Sequence, residues 1–264
     1  MTIPAREIRE YYEKEAVVLA DHQRMIYFAD PWNDYWHLTR LREIMKVVRK
    51  TRFGSFLDVG CAEGLYLKLL SSNSKTGSSG TGLDLAKNYL LKARVTSPKT
   101  SLVQGDAGKL PFRNDSFDLV LCSEVLEHVP NPKEVFRELV RASERYVLLT
   151  LAGENLFHFV MRKFRLVRVP NPFSEVGHGH INENRMSQTI IPWSVEARCS
   201  CLYSLTTSYF PANFLKNHRV PTWFISLMRL ADRIIVRIPV LSEFGATQIA
   251  FVEKSRKLQG QYNN

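Results

Sequence analysis

The chain has 264 residues, 45% of them apolar, and a formal net charge of +10, enough for one full α/β domain with elaborations. Cys61, Cys122, Cys199 and Cys201 include no Cys-x-x-Cys pair, no stretch reaches the ~18 apolar residues of a membrane span, and residues 1–15 lack an apolar secretion core. These facts count against a disulfide scaffold, a zinc ribbon, a spanning protein and a secreted one, and a reducing, cytoplasmic setting is expected. The charge is uneven: residues 1–154 hold 22 Lys+Arg against 20 Asp+Glu, and residues 155–264 hold 14 against 6. The C-terminal part therefore carries the basic surface, which attracts anionic partners without choosing among nucleic acid, anionic lipid and phosphorylated small molecules.

Residues 4–28 read as an amphipathic helix through Ile8, Tyr11, Tyr12, Ala16 and Leu19, broken near Asp21. Asp30-Pro31 then starts a second helix that closes on the basic run Arg49-Lys50-Thr51-Arg52. Both helices are expected to cover an edge of a pocket, with Tyr35, His37 and Arg40 available to it.

Phe56-Leu57-Asp58-Val59 reads as a buried strand ending in an acid. The turn Gly60-Cys61-Ala62-Glu63-Gly64 follows, and a helix opens directly behind it. Its two glycines free the backbone for positive φ and let a ligand approach the main chain, while the helix start presents unpaired N–H groups. Ser71 to Gly80 is expected as a mobile surface loop. Gly82-Leu83-Asp84-Leu85 repeats the strand-and-acid theme, and an acid there is placed to accept hydrogen bonds from ribose hydroxyls. Ser101 to Asp106 repeats it again before Ala107. Phe117 to Cys122 is a near-continuous apolar run suited to a central parallel strand, and Arg145 to Leu151 is a further buried strand. The alternation from 55 to 151 predicts a doubly wound, Rossmann-like sheet whose ligand crevice lies at the carboxyl ends of the strands, beside Asp58, Asp84, Asp106 and Ser123.

Four motifs in this order, Leu57 to Gly64, Gly82 to Leu85, Gly105-Asp106-Ala107 with Leu110-Pro111-Phe112, and Phe117 to Val120 with Glu124 to Val129, resemble the class I S-adenosylmethionine-dependent methyltransferases. The similarity covers roughly residues 35–151 and lies toward the group that includes ubiquinone-pathway O-methyltransferases. It implies a seven-stranded α/β sheet, mostly parallel with an antiparallel last strand, and S-adenosyl-L-methionine as cofactor. By the same resemblance Asp58, Gly60, Cys61 and Gly64 approach the methionine part, Asp84 with Leu85 binds the ribose, Asp106 and Ala107 recognise adenine, and Ser123 lies beside the sulfonium. Ala62 stands where these proteins commonly have glycine. The incomplete glycine pattern also counts against a nicotinamide dehydrogenase, which needs a helix start aimed at pyrophosphate.

Glu124, Glu127 and His128 are expected to cluster on one helical turn. A similar Glu-x-x-Glu-His cluster in the ubiquinone-pathway relatives has been linked to a divalent cation, but the segment also reads as a structural helix start. No metal site is assigned, and His128 is the first candidate general base. Beyond the resemblance, Leu156 to Val169 is basic and amphipathic, and Gly177-His178-Gly179-His180 sets two imidazoles in a turn, of which His180 is the second candidate base.

Trp223 to Ile238 carries Arg229, Arg233 and Arg237 on one helical face. Such a helix suits an anionic membrane surface, a lipid-like substrate, or core packing with a solvated Arg face. The chain thus divides into N-terminal helices (1–54), a cofactor-binding core (55–151), a substrate-facing part that completes the sheet (152–254) and a disordered tail (255–264). The expected acceptor is a small molecule, lipid-linked, quinone or sugar. Nucleic acid is not favoured, because no Asn/Asp-Pro-Pro-Tyr/Phe signature follows the fourth strand. RNA methylation and cofactor binding without catalysis are the two alternatives.

Overall fold

The computed structural model describes residues 5–19, 23, 34–73, 79–152, 164, 190–209, 221–238, 241–243 and 245–255. Among them a seven-stranded sheet has β1 (Ser55–Val59), β2 (Ser79–Asp84), β3 (Ser101–Gln104), β4 (Phe117–Ser123), β5 (Ser143–Ala152), β6 (Cys199–Thr207) and β7 (Thr247–Lys254) in the order β3-β2-β1-β4-β5-β7-β6. The pairs β3·β2, β2·β1, β1·β4 and β4·β5 are parallel, and β7 runs antiparallel between β5 and β6. The strand order reverses between β1 and β4, so the crevice at their carboxyl ends is the topological switch point.

Both faces of the sheet are covered, which is why its central strands are apolar at nearly every position. On one face Leu57, Val59, Val120, Cys122, Val147 and Leu149 pack with α5 (Pro132–Ala142) and α6 (Ile190–Glu196). On the other, Phe56, Leu119, Leu121, Leu148 and Phe251 pack with α2 (Thr39–Lys50), α3 (Leu65–Asn73) and Leu90 of α4 (Lys87–Thr96). The expected loop at Ser71 to Gly80 is shorter than its composition suggested: α3 runs to Asn73, β2 begins at Ser79, and residues 74–78 lie outside the described set. A Cβ at Gly80 would stand 2.5 Å from the Phe56 ring, so a glycine that looks like loop composition is a strand residue under an aromatic ring.

At the N-terminus, α1 (Ala5–Val18) lies on α4, with Ala16, Ala86 and Tyr89 in contact and Tyr12 and Ala62 against them. A turn of π-helix, Asp34–Leu38, leads into α2. On the C-terminal side α7 (Thr222–Ile235) buries Ile225, Met228 and Asp232. The basic stretch Leu156 to Val169, except Phe164, the turn at Gly177 to Asn182 and the tail beyond Ser255 lie outside the described residues.

Candidate active site

The turn after β1 is shaped by three residues in the left-handed region: Gly60 at φ 72°, Ala62 at φ 44° and Gly64 at φ 83°. Gly60 and Cys61 both donate their N–H groups to the Leu83 carbonyl, at 2.8 and 3.0 Å, which ties the turn to β2. A Cβ at Gly60 would fall 2.3 Å from Val125 Cγ2, so glycine there lets the turn meet the segment after β4 across the switch point. Ala62 is strained, since a side chain in this region costs roughly 1–2 kcal/mol. Its conformation is held from outside, because its N–H donates to Asp84 Oδ2 at 2.9 Å.

Asp84 closes the same corner by accepting the Ala86 N–H on Oδ1 at 2.9 Å. Each oxygen keeps a lone pair beyond these bonds. Burial pushes the Asp84 carboxyl up to about 6, against the backbone bonds that lower it. Asp58 is buried, and its Oδ2 has no hydrogen-bond partner among the described residues. Burial first and the neighbouring Asp84 second push its carboxyl up to about 8. Two desolvated acids with no cation paired to them among the described residues form a site that a cationic ligand would stabilise. Asp106 lies two residues past the end of β3, exposed, with Oδ1 accepting the Gly108 N–H at 2.8 Å, while Ala107 is buried beside Leu83 and Leu110. Leu85 is half-buried, and its carbonyl accepts Gln104 Nε2 at 3.0 Å.

Over this corner lie groups from the N-terminal part. Glu13 caps α4 from another helix, accepting the Lys87 and Asn88 N–H groups at 2.7 and 2.9 Å, a favourable place for an anion. Gln23 accepts the Leu65 N–H at the start of α3 at 2.9 Å and donates its own backbone N–H to Glu63. Tyr12 packs, as Ala62 does, against the cluster of Ala16, Ala86 and Tyr89, and its ring meets the His128 ring edge-on, with centroids 5.9 Å apart. Burial and the nearby carboxylates of Glu15, Glu127 and Asp84 hold its phenol well above the usual tyrosine range, so it remains a neutral hydroxyl.

On the β4–β5 side the arrangement differs from the expected single helical face. Glu124 has φ 57° and precedes the short 3-10 turn Leu126–His128, so it turns back to the sheet instead of stacking over Glu127 and His128. Its carboxylate accepts the Thr150 hydroxyl at 3.0 Å and pairs with Arg40 at 2.9 Å. Ser123 Oγ lies 3.0 Å from Thr150 Oγ1. Glu127 is buried, with Oε1 accepting the Ala152 N–H at 3.3 Å and Oε2 without a hydrogen-bond partner among the described residues. Burial, then Glu124, raises its carboxyl well above the ordinary range. No group of three or more His, Cys, Asp or Glu suited to a metal ion occurs among the described residues.

Asp58, Gly60, Cys61, Gly64, Asp84, Leu85 and Ser123 are thus gathered at the carboxyl ends of β1, β2 and β4, with Asp106 and Ala107 just beyond β3 and His128 opposite Tyr12. His180 lies outside the described residues. Of the three polar residues expected to face the pocket, Arg40 reaches Glu124, whereas Tyr35 donates its hydroxyl to Asp232 on α7 at 2.7 Å. Sequence reading overlooked Tyr12, Gln23 and Thr150. Tyr12 sits at an apolar position of an amphipathic helix, Gln23 has no motif around it, and Thr150 is one residue of an apolar strand.

Residues 57–145 match the family described as methyltransferase domain. The chain is 28% identical over 146 residues to the ubiquinone biosynthesis O-methyltransferase of Hydrogenovibrio crunogenus, covering 52% of this chain and 59% of that protein. It is 38% identical over 129 residues to the corresponding enzyme of Chromobacterium violaceum, covering 40% of this chain and 53% of that one. The matches therefore span little more than half the length of these curated relatives. Among solved structures, magnesium protoporphyrin IX methyltransferase from Synechocystis, crystallised with bound SAH, superimposes with a TM-score of 0.63 at 14% identity, over 96% of this chain and 100% of that one, a likeness of fold. Residues 57–145 are thus similar in sequence to a methyltransferase domain, and the likeness to the solved structure is one of fold.

Proposed function

We propose that the protein transfers a methyl group from S-adenosyl-L-methionine to an oxygen of a small molecule, with quinone, lipid-linked and sugar acceptors as the favoured classes. The observation that carries this reading is the pair of buried acids, Asp58 and Asp84, with no cation paired to them among the described residues, at a glycine turn. The relatives named as ubiquinone biosynthesis O-methyltransferases support oxygen as the acceptor atom. When bound, the cofactor supplies an electrophilic methyl on a cationic sulfonium. Asp84 holds the ribose hydroxyls on its remaining lone pairs, with Leu85 beside it, and Asp106 and Ala107 take the adenine. Asp58 balances the positive charge of the methionine part, which lies along Gly60, Cys61 and Gly64, and Ser123 stands at the reacting end.

On the acceptor side the requirement is orientation and removal of one proton. His128 is the proposed base, with His180 as second candidate. Glu127 lies beside this segment, and burial, then Glu124, raises its carboxyl. The Tyr12 ring and α1 exclude water from the same corner.

Titration calorimetry with S-adenosylmethionine tests the cofactor site. Binding by the wild type and at least about 100-fold weaker binding by Asp84→Ala are expected, the loss of two charge-assisted hydrogen bonds. Unchanged affinity in the variant counts against the site. Incubation of labelled cofactor with lipid, glycan and RNA fractions then reads the acceptor. Label in lipid or glycan supports the reading, and label in RNA alone replaces it.

A further inference from the structure

Helix α7 shows two faces of unlike origin. Inward, Ile225 and Met228 are buried, and Asp232 accepts the Tyr35 hydroxyl and the N–H groups of Ser208 and Tyr209. Outward, Trp223, Leu227, Leu230 and Ile234 recur at i, i+4, i+7 and i+11, and Ile238 continues the line just past the helix end. These five side chains are 43–65% exposed, the reverse of the solvated polar face that a surface helix ordinarily presents. Along one flank run Arg229, Arg233 and Arg237. Arg229 is half-buried and donates to Thr39 Oγ1 at 3.2 Å, while Arg233 and Arg237 are exposed.

The position of this face is fixed relative to the candidate site. Asp232 grips the turn after β6, whose last residue Thr207 pairs with Thr247, and Thr247 pairs with Ala152 at the carboxyl end of β5. The π-turn before α2 bridges the same rim, with Trp36 donating to Thr247 Oγ1 at 3.0 Å. The stripe therefore borders the end of the sheet where Ser123, Glu124 and Thr150 lie.

We infer that the outward face of α7 docks the protein on an anionic membrane surface, with the apolar stripe in the headgroup boundary and Arg233 and Arg237 on lipid phosphates. The charge argues for this occupant: the stripe is flanked by cations and belongs to a region holding 14 Lys+Arg against 6 Asp+Glu. Its 14 residues suit a helix lying in the interface, and no helix among the described residues is long and apolar enough to cross a membrane. Docking this rim would bring a membrane-held acceptor to the site, a consequence that rests on the proposed methyl transfer. The docking itself does not.

The test is cosedimentation of the full chain with vesicles of phosphatidylcholine alone and with about one third phosphatidylglycerol, without cofactor or acceptor, so that its failure is separate from failure of the methyl-transfer reading. Binding to the anionic vesicles and little to the neutral ones is expected. The double change Arg233→Gln, Arg237→Gln weakens it by about fivefold per arginine, on the order of 25-fold together, and Leu227→Glu with Leu230→Glu abolishes it. Calorimetry with S-adenosylmethionine, unchanged in both variants, shows that they fold. Equal binding to both vesicles, no binding to either, or anionic binding that both variants retain overturns the inference. So does a stripe variant that only splits a dimer in sedimentation velocity, since the occupant is then a second copy.

Discussion

On the β1–β2 side of the crevice, Asp58 and Asp84 are buried without a paired cation among the described residues, and their carboxyls are pushed up to about 8 and about 6. On the β4–β5 side Glu124 carries Arg40 at 2.9 Å and the Thr150 hydroxyl at 3.0 Å, so one of its two acids is already neutralised from within the chain. The first half is a pair of desolvated acids, and the second a self-contained polar network next to it. Cost falls differently on each: ionising the first pair is unfavourable in the folded protein, whereas the second destabilises only when one partner is removed.

The largest effect expected from breaking this contrast is Arg40→Ala. It leaves Glu124 beside Glu127 without its cation and lowers stability by about 3 kcal/mol, read as a urea midpoint. Adding Glu124→Gln recovers much of that loss, because the uncompensated charge goes with it; a double variant as unstable as the sum of the singles shows that Arg40 acts through packing alone.

The opposite sign is expected on the other side. Asp58 binds a proton more tightly folded than unfolded, so stability falls as pH rises from about 4 toward about 8 and then levels. Asp58→Asn flattens that slope and stabilises the ligand-free protein at pH 8 by about 2 kcal/mol, while weakening S-adenosylmethionine. The wild type's affinity for that cation falls as pH drops from 8 to 6, since a protonated Asp58 no longer balances it. Calorimetry across this range checks the trend, and a flat profile removes Asp58 from the cation's environment. Smallest is Ala62→Gly, which relieves the left-handed strain at φ 44° and stabilises by up to ~1 kcal/mol in thermal unfolding. A loss of stability there would mean the methyl group packs usefully against the cluster of Ala16, Ala86 and Tyr89.

How much was legible follows the same division. The β1–β2 corner is local: Asp58, Gly60 and Gly64 lie within seven residues, and Asp84 ends the next strand, so strand-and-acid patterning with glycine turns placed them together. The β4–β5 network is made of long-range partners, Arg40 with Glu124, Trp36 with Thr247 and Tyr35 with Asp232, and no spacing rule reaches across such separations. The helical clustering expected for Glu124, Glu127 and His128 failed for a local reason: φ 57° at Glu124 breaks the turn, and a non-glycine residue gives no warning of it.

Periodicity and strand-end acids determined the sheet, its order of elements and the glycine corner, because apolar alternation and turn chemistry act over a few residues. Only the tertiary structure decided which of these acids have no counter-charge among the described residues, that Tyr12 covers the corner, and that α7 turns its arginines to the flank and its apolar stripe outward. Those outcomes depend on which surfaces meet, and in this chain the surfaces that meet come from segments as much as two hundred residues apart, such as Trp36 and Thr247.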